Sequence, residues 1–292
     1  MPVHLNSFVP EEKNVNVFAA LLSGDYLDRP ETIYMSEDQK YLHMGTPLCD
    51  AVTETPIGDV VFTIEIKEKA LEILDVDLTL RGSEPVKLRF DKQYPWSSDS
   101  NEYWFAFTDE NDQAVEVETV YRYAVHMNLQ DTVQPVCASA FPFRVEVFED
   151  LQAASKAYGF DHPIKVPALG DDFEVSLYSP TFSSPGSMFR KEGSEESFSF
   201  LFGTVQSIRP AELQLGEERI RFLIVDLDTA FGILPTAMSE ETFDLQNLVP
   251  GAVVVMYADI KADLSPAATK PNIVTEKAKG AAILHDEEED KA

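Results

Sequence analysis

The sequence predicts a mainly β protein with minor α: a strand-rich α+β N-terminal domain followed by a small Greek-key β-barrel. Runs of alternating apolar and polar residues recur from Asp59 onward, while few stretches carry helical spacing. The stretch from Phe198 to Leu264 then packs several extended runs close together, with turn formers between them.

In chain order, Pro10-Glu11-Glu12 followed by Val15, Val17, Phe18, Leu21 and Leu22 predicts a short amphipathic helix ended by Gly24. Acids in its first turn suit the helix dipole. From Asp59 the period changes to two: Val60, Phe62, Ile64 and Ile66 alternate with Val61, Thr63, Glu65 and Lys67. Residues 69–74 read as a helical turn or a bend, and Asp75 to Leu80 alternates again. Arg81-Gly82-Ser83 turns the chain into a strand from Val86 to Phe90. Tyr94 to Asn101 is rich in turn formers and reads as a loop. Further strands are expected at Tyr103–Phe107, Ala114–Met127 and Phe141–Phe148. Leu151, Ala154 and Ala157 give residues 149–158 helical spacing up to Gly159.

Residues 161–196 are dense in proline and glycine and read as a linker with one short strand at Phe173–Tyr178. The barrel segment follows. Phe198-Ser199-Phe200-Leu201-Phe202-Gly203-Thr204-Val205 opens it, then Arg219 to Asp226 and Thr229 to Leu234. A short helix is expected at Ser239–Leu248, and Pro250-Gly251 turns into the strand Ala252–Leu264. The domains expected are therefore 1–160, a linker at 161–196, the barrel at 197–275 and an acidic tail at 276–292. Five adjacent acids, Asp286 to Asp290, favour disorder in that tail.

Charge is the unusual property. Among 292 residues, 51 acids against 23 bases give a formal net charge of −28. The excess is spread along the chain: −16 over 1–170, −9 over 171–275 and −3 over 276–292. Such a field repels phosphate backbones and anionic lipid, and it steers basic partners inward. Solubility alone is the plainer account of it. Two cysteines, Cys49 and Cys137, make no disulfide framework in a chain of this length, as expected of reduced cytosolic thiols. Neither a secretory leader nor an apolar run of roughly 20 residues is present, so the expectation is a cytoplasmic protein outside the membrane.

Reactive signatures are sparse. The five histidines, at 4, 43, 126, 162 and 285, lack the short spacing of local zinc motifs, and no phosphate-binding glycine loop or nucleophile elbow occurs. Asp226-Leu227-Asp228 and Asp75-Val76-Asp77 each place two acids on one strand face. A divalent cation could sit there, although a solvated face is the favoured reading. Phe198, Phe200 and Phe202 share one side of a strand. Stacking platforms for single strands look alike, but without interleaved bases core packing is favoured. Arg219 and Arg221 alternate with Ile220 and Phe222 and should face solvent, where they can meet an anionic partner.

Residues 198–264 resemble the OB-fold, in particular its bacterial nucleic-acid-binding-like versions. The likeness rests on Gly203-Thr204-Val205, Phe222 to Asp226, Phe231-Gly232-Ile233-Leu234 and Val249-Pro250-Gly251. It implies binding of single-stranded nucleic acid, oligosaccharide or protein through one barrel face and its loops. The net acidity departs from the nucleic-acid binders.

The function expected is therefore a non-catalytic interaction protein whose acidic surface meets a basic protein partner, as a decoy or immunity-type factor. An OB-fold nucleic-acid-binding module is the alternative, and a divalent-cation-dependent enzyme the second alternative. Arg219, Arg221, Asp226 and Asp228 are the candidate partner-binding residues. No catalytic residue, metal ligand or cofactor is expected.

Overall fold

The computed structural model describes residues 5, 7–10, 13–22, 26–28, 30–36, 39–68, 70–82, 85–95, 103–108, 114–120, 133–158, 164–165, 174–175, 199–229 and 232–263. Among the described residues there are two helices, α1 (Asn14–Leu22) and α2 (Leu151–Ala157). The strands of the first half are β1 (Thr32–Met35), β2 (Tyr41–Cys49), β3 (Pro56–Ile66), β4 (Leu71–Leu80), β5 (Val86–Pro95), β6 (Tyr103–Thr108), β7 (Ala114–Thr119) and β8 (Val133–Phe148). Those of the second are β9 (Ile164–Lys165), β10 (Glu174–Val175), β11 (Ser199–Leu215), β12 (Glu218–Thr229), β13 (Gly232–Met238) and β14 (Val253–Asp263). The protein is mainly β with minor α.

β1 to β4 form an antiparallel meander, and β9 pairs with β10. The remaining strands make one sheet in the order β11-β12-β13-β8-β14-β7-β6-β5, with β11 also paired to β14 and β8 to β5. Those two further pairings close the ladder on itself twice. One circuit runs β11-β12-β13-β8-β14 and returns to β11; the other runs β5-β6-β7-β14-β8 and returns to β5. β8 and β14 belong to both, and they pair antiparallel from Val253↔Phe148 to Asp263↔Cys137. β8 precedes residues 161–196 and β14 follows them. That stretch therefore separates segments of sequence whose strands share one sheet.

Side-chain alternation explains why β11 and β12 are so long. In β12, Ile220, Phe222 and Ile224 point into a core shared with α1 and the meander; beyond them Val225 and Leu227 point into the core of the first circuit. The strand thus crosses from one core to another, and its buried face switches at Ile224–Val225. β11 does the same, with Ala211, Leu213 and Leu215 in one core and Leu201 and Val205 in the other. Between the two strands, Gly216 adopts a positive φ of 62°, as a two-residue hairpin turn with glycine first requires. α1 closes the shared core with Val17 and Leu21, and α2 lays Ala154 over Phe202, Val253 and Val255. Asp150 caps α2, its Oδ1 accepting the Ala153 N–H at 2.7 Å.

The meander docks on the shared strands through polar groups. Lys261 and Ser139 face each other across the β8–β14 ladder. Lys261 Nζ lies 3.0 Å from Asp77 Oδ1 of β4, with both side chains buried, and Ser139 Oγ accepts the Leu80 N–H at 3.2 Å.

Several expectations change. Residues 239–252 form successive turns in place of the helix expected at Ser239–Leu248, with Phe243 N–H donating to Ser239 O and Leu248 N–H to Leu245 O. Ser239 Oγ accepts the Glu241 N–H as a helix cap would, but Asp244 Oδ1 takes the Gln246 N–H, a donor that a helix would direct to the carbonyl four residues back. Residues 71–74 are strand, because hairpin pairing with β3 down to Ile66↔Leu71 outweighs their helical composition. β1 and β2 were not expected, since Gly45 and Pro47 interrupt the alternation of β2. Pro47 is tolerated there because β1 pairs only with Leu42 to Gly45, leaving Pro47 beyond that ladder. β8 begins eight residues before the strand expected at Phe141, and β5 reaches Pro95 inside the expected loop. The first-turn acids of α1, the end of the strand expected up to Met127, and the acidic tail lie outside the described residues; α1 as described has no acid in its first turn.

Candidate docking cleft

Arg219 and Arg221 project from β12 into solvent, with side chains 56% and 75% exposed, while Ile220 and Phe222 between and beside them are buried. Both guanidiniums rest on one carboxylate. Glu212 on β11 sits opposite Arg221 in the register; it accepts Arg221 Nε–H at 2.8 Å on one oxygen and Arg219 Nε–H on the other. The bond from Arg221, joined by the bond from Arg219, outweighs the opposing effect of burial and holds the Glu212 carboxyl below its ordinary pKa.

Asp226 and Asp228 occupy the far end of the same strand. Asp226 follows Arg221 by five positions, roughly 17 Å of extended chain. Asp226 accepts Ser207 Oγ–H at 2.6 Å and Arg209 Nη2–H at 3.3 Å, and Asp228 Oδ2 lies 3.4 Å from Gln206 Nε2. The four candidate residues therefore form two separate groups, one basic and clamped by an acid, the other acidic and held by polar neighbours.

The first group borders a cleft of about 520 Å³. Its apolar lining comes from Val52, Pro210, Ala211, Phe222 and Leu223; Glu240 and Glu241 stand exposed at its edge. Asp50, buried, holds the opposite wall. It begins the turn between β2 and β3, where its Oδ1 accepts the N–H groups of Val52 (3.0 Å) and Thr53 (2.7 Å) and the Thr53 hydroxyl (3.0 Å). Its Oδ2 accepts the Glu212 N–H at 2.8 Å, and Ala51 N–H returns a bond to Glu212 O at 2.6 Å. One carboxylate thus shapes the turn and fastens it to β11. Burial pushes the Asp50 carboxyl up, and these hydrogen bonds outweigh it to hold the group below its ordinary value.

The lining offers carboxylates, one guanidinium, hydroxyls and apolar surface, and no imidazole or thiol. Among the described residues no three His, Cys, Asp or Glu side chains converge as a metal site would require. Of the acid pairs expected on strand faces, Asp77 is consumed by Lys261, and Asp75 accepts its neighbour Val76 N–H. His43 is buried in β2, its Nδ1 3.2 Å from Thr63 Oγ1. Phe202 is buried against Tyr158 and Phe148, the core role favoured for it. Sequence reading missed Glu212, Asp50, Glu240 and Glu241. Asp50 does carry a local signal, an Asp with Thr53 three residues on, which marks a side-chain-capped turn. Nothing local signals its bond to a backbone 162 positions away.

Comparison with protein-family models, with curated proteins and with solved structures finds no match. Fold and cleft define a mainly β chain with an acid-rimmed apolar recess. Among the described residues no helix is long and apolar enough to cross a membrane.

Proposed function

We propose that this chain is a non-catalytic, cytoplasmic interaction protein whose acidic surface docks a basic protein partner, as a decoy or immunity-type factor does. The observation that carries the reading is the fate of its positive charge. Every arginine whose side chain is described lies against a carboxylate of the same chain: Arg81 on Asp59, Arg144 on Glu146, Arg209 on Asp226, Arg219 and Arg221 on Glu212. Each exposed pair adds little stability, but pairing cancels the attraction these cations would offer a phosphate. A net −28 then leaves carboxylates in excess, and their summed field acts at long range. The cleft supplies a place for contact: a lysine or arginine stem can lie along its apolar lining while the cationic head meets Glu240, and Glu241 beside it already lies 3.9 Å from Lys13 Nζ.

Immobilised protein should recover basic proteins from native lysate at low salt and release them by about 1 M, where the Debye length is near 3 Å. The double substitution Glu240→Lys with Glu241→Lys should lower recovery about tenfold or more. Recovery of neutral proteins insensitive to salt, or recovery untouched by the charge reversal, counts against the reading.

A second reading has one observation in its favour. β14-β11-β12-β13 has the spatial order of a Greek key, and with β8 the ladder closes over five strands, as in an OB-like barrel. In that reading Arg219 and Arg221 contact single-stranded nucleic acid. Fluorescence anisotropy with short DNA and RNA strands at low salt tests it, and no binding at micromolar protein removes it.

A further inference from the structure

The two ladder circuits are built alike. β5, β6 and β7 form a meander with β8 returning beside β5, and β11, β12 and β13 form another with β14 returning beside β11. Each set is a Greek key with its fourth strand beside its first. Exchange β5 with β11, β6 with β12, β7 with β13 and β8 with β14, and every pairing maps onto one that exists. Antiparallel ladders map onto antiparallel ladders. The short parallel contact of β13 with β8, at Thr236↔Ala140, maps onto the short parallel contact of β7 with β14, at Lys261↔Glu118. The registers agree as well. Lys261 stands 121 residues after Ala140, and the windows paired to the first strand of each set, 133–136 in β8 and 253–258 in β14, have midpoints offset by the same amount. No periodic motif in the sequence announces this, because strand order and register are repeated while residues are not.

In each circuit the fifth strand belongs to the other set. We propose that residues 86–148 and 199–263 are two strand-exchanged half-units, each the obligate folding partner of the other. The partner each half-unit binds is the long strand of its counterpart. Without β8, the circuit of β11 to β14 would leave the edges of β13 and β14 unpaired and open a core in which Val136, Ala140, Val145 and Val147 pack against Leu201, Val225 and Val254. Without β14, the circuit of β5 to β8 would lose the strand that joins β7 to β8. The Lys261↔Ser139 pair lies third from the Asp263↔Cys137 end of the exchanged ladder, where the meander fastens.

Cutting the folded full chain at a protease site inserted within 181–190, with a second insertion within 191–196 in case the first unfolds the protein, tests this. The two pieces should elute natively as one particle of the intact mass. Urea should unfold the cut protein in a single transition that shifts to higher urea as protein concentration rises, because unfolding now releases two chains. A tenfold rise in concentration should add about 1.4 kcal/mol of apparent stability. The uncut chain should show no such dependence. Separation of the pieces under native conditions, two transitions, or a midpoint indifferent to concentration would each overturn the proposal, since self-sufficient halves unfold without regard to one another.

Discussion

Replacing Lys261 alone by methionine should lower the unfolding free energy by about 3–5 kcal/mol, read from urea titration. The Lys261 ammonium and Asp77 carboxylate are 3.0 Å apart, with side chains 5% and 1% exposed. Removing the lysine leaves a charge deep between the meander and the β8–β14 ladder. The Asp77 carboxylate then loses a cationic partner in a buried setting, and that loss is costly. The double substitution Asp77→Val with Lys261→Met should restore at least half of the loss, because it removes the charge as well as the pair. A double variant as unstable as the sum of the single ones would mean that Lys261 and Asp77 act independently, and that loss of the partner does not set the cost. What the pair contributes beyond stability is register: only one sliding position of β4 on β14 brings Asp77 to Lys261 and Leu80 N–H to Ser139 Oγ together.

That pair also marks the limit of what the sequence discloses. The period-two pattern of 60–66 and 75–80 identifies β3 and β4 because one face of each meets a continuous apolar core. Ile220 and Phe222 likewise reveal which way Arg219 and Arg221 point. A lysine in a strand reads as solvent-facing by the same logic, and Lys261 is buried because its partner arrives from another sheet, 184 positions away. The ring closure fails to show for a similar reason. Residues 198–264 contain four of the five strands of their circuit, and the fifth, β8, precedes them. That stretch alone carries the pattern of a Greek key, and the strand that closes it lies outside it. Residues 239–248 mislead in the opposite sense, since Phe243, Leu245 and Leu248 have apolar spacing close to that of a helix. The Asp244 side chain, by taking the Gln246 N–H, favours turns there instead. The cleft follows the same division: its arginine is legible from alternation, whereas Asp50, which fastens it to β11, comes from a distant turn.

At the cleft itself, Asp50→Ala should destabilise the protein by about 3 kcal/mol, since four donors lose a charged acceptor at once. Asp50→Asn separates the two tasks of this side chain. An asparagine keeps an oxygen for Val52 and Thr53 but can turn only an amide N–H toward the Glu212 N–H, so the turn persists while its fastening to β11 is lost. Amide exchange should then rise at Ala51 and Glu212 and stay slow at Thr53. The pH dependence has a definite sign. Asp50 has its folded pKa depressed, so its stabilising contribution is complete above the unfolded value near pH 4 and disappears as pH falls through the folded one. The difference in stability between the native protein and Asp50→Asn should therefore be constant at neutral pH and shrink in the acid range below about pH 4. A difference that stays fixed through that range would show that the Asp50 charge contributes nothing, and that the clamp on β11 is held by the Ala51 N–H bond to Glu212 alone.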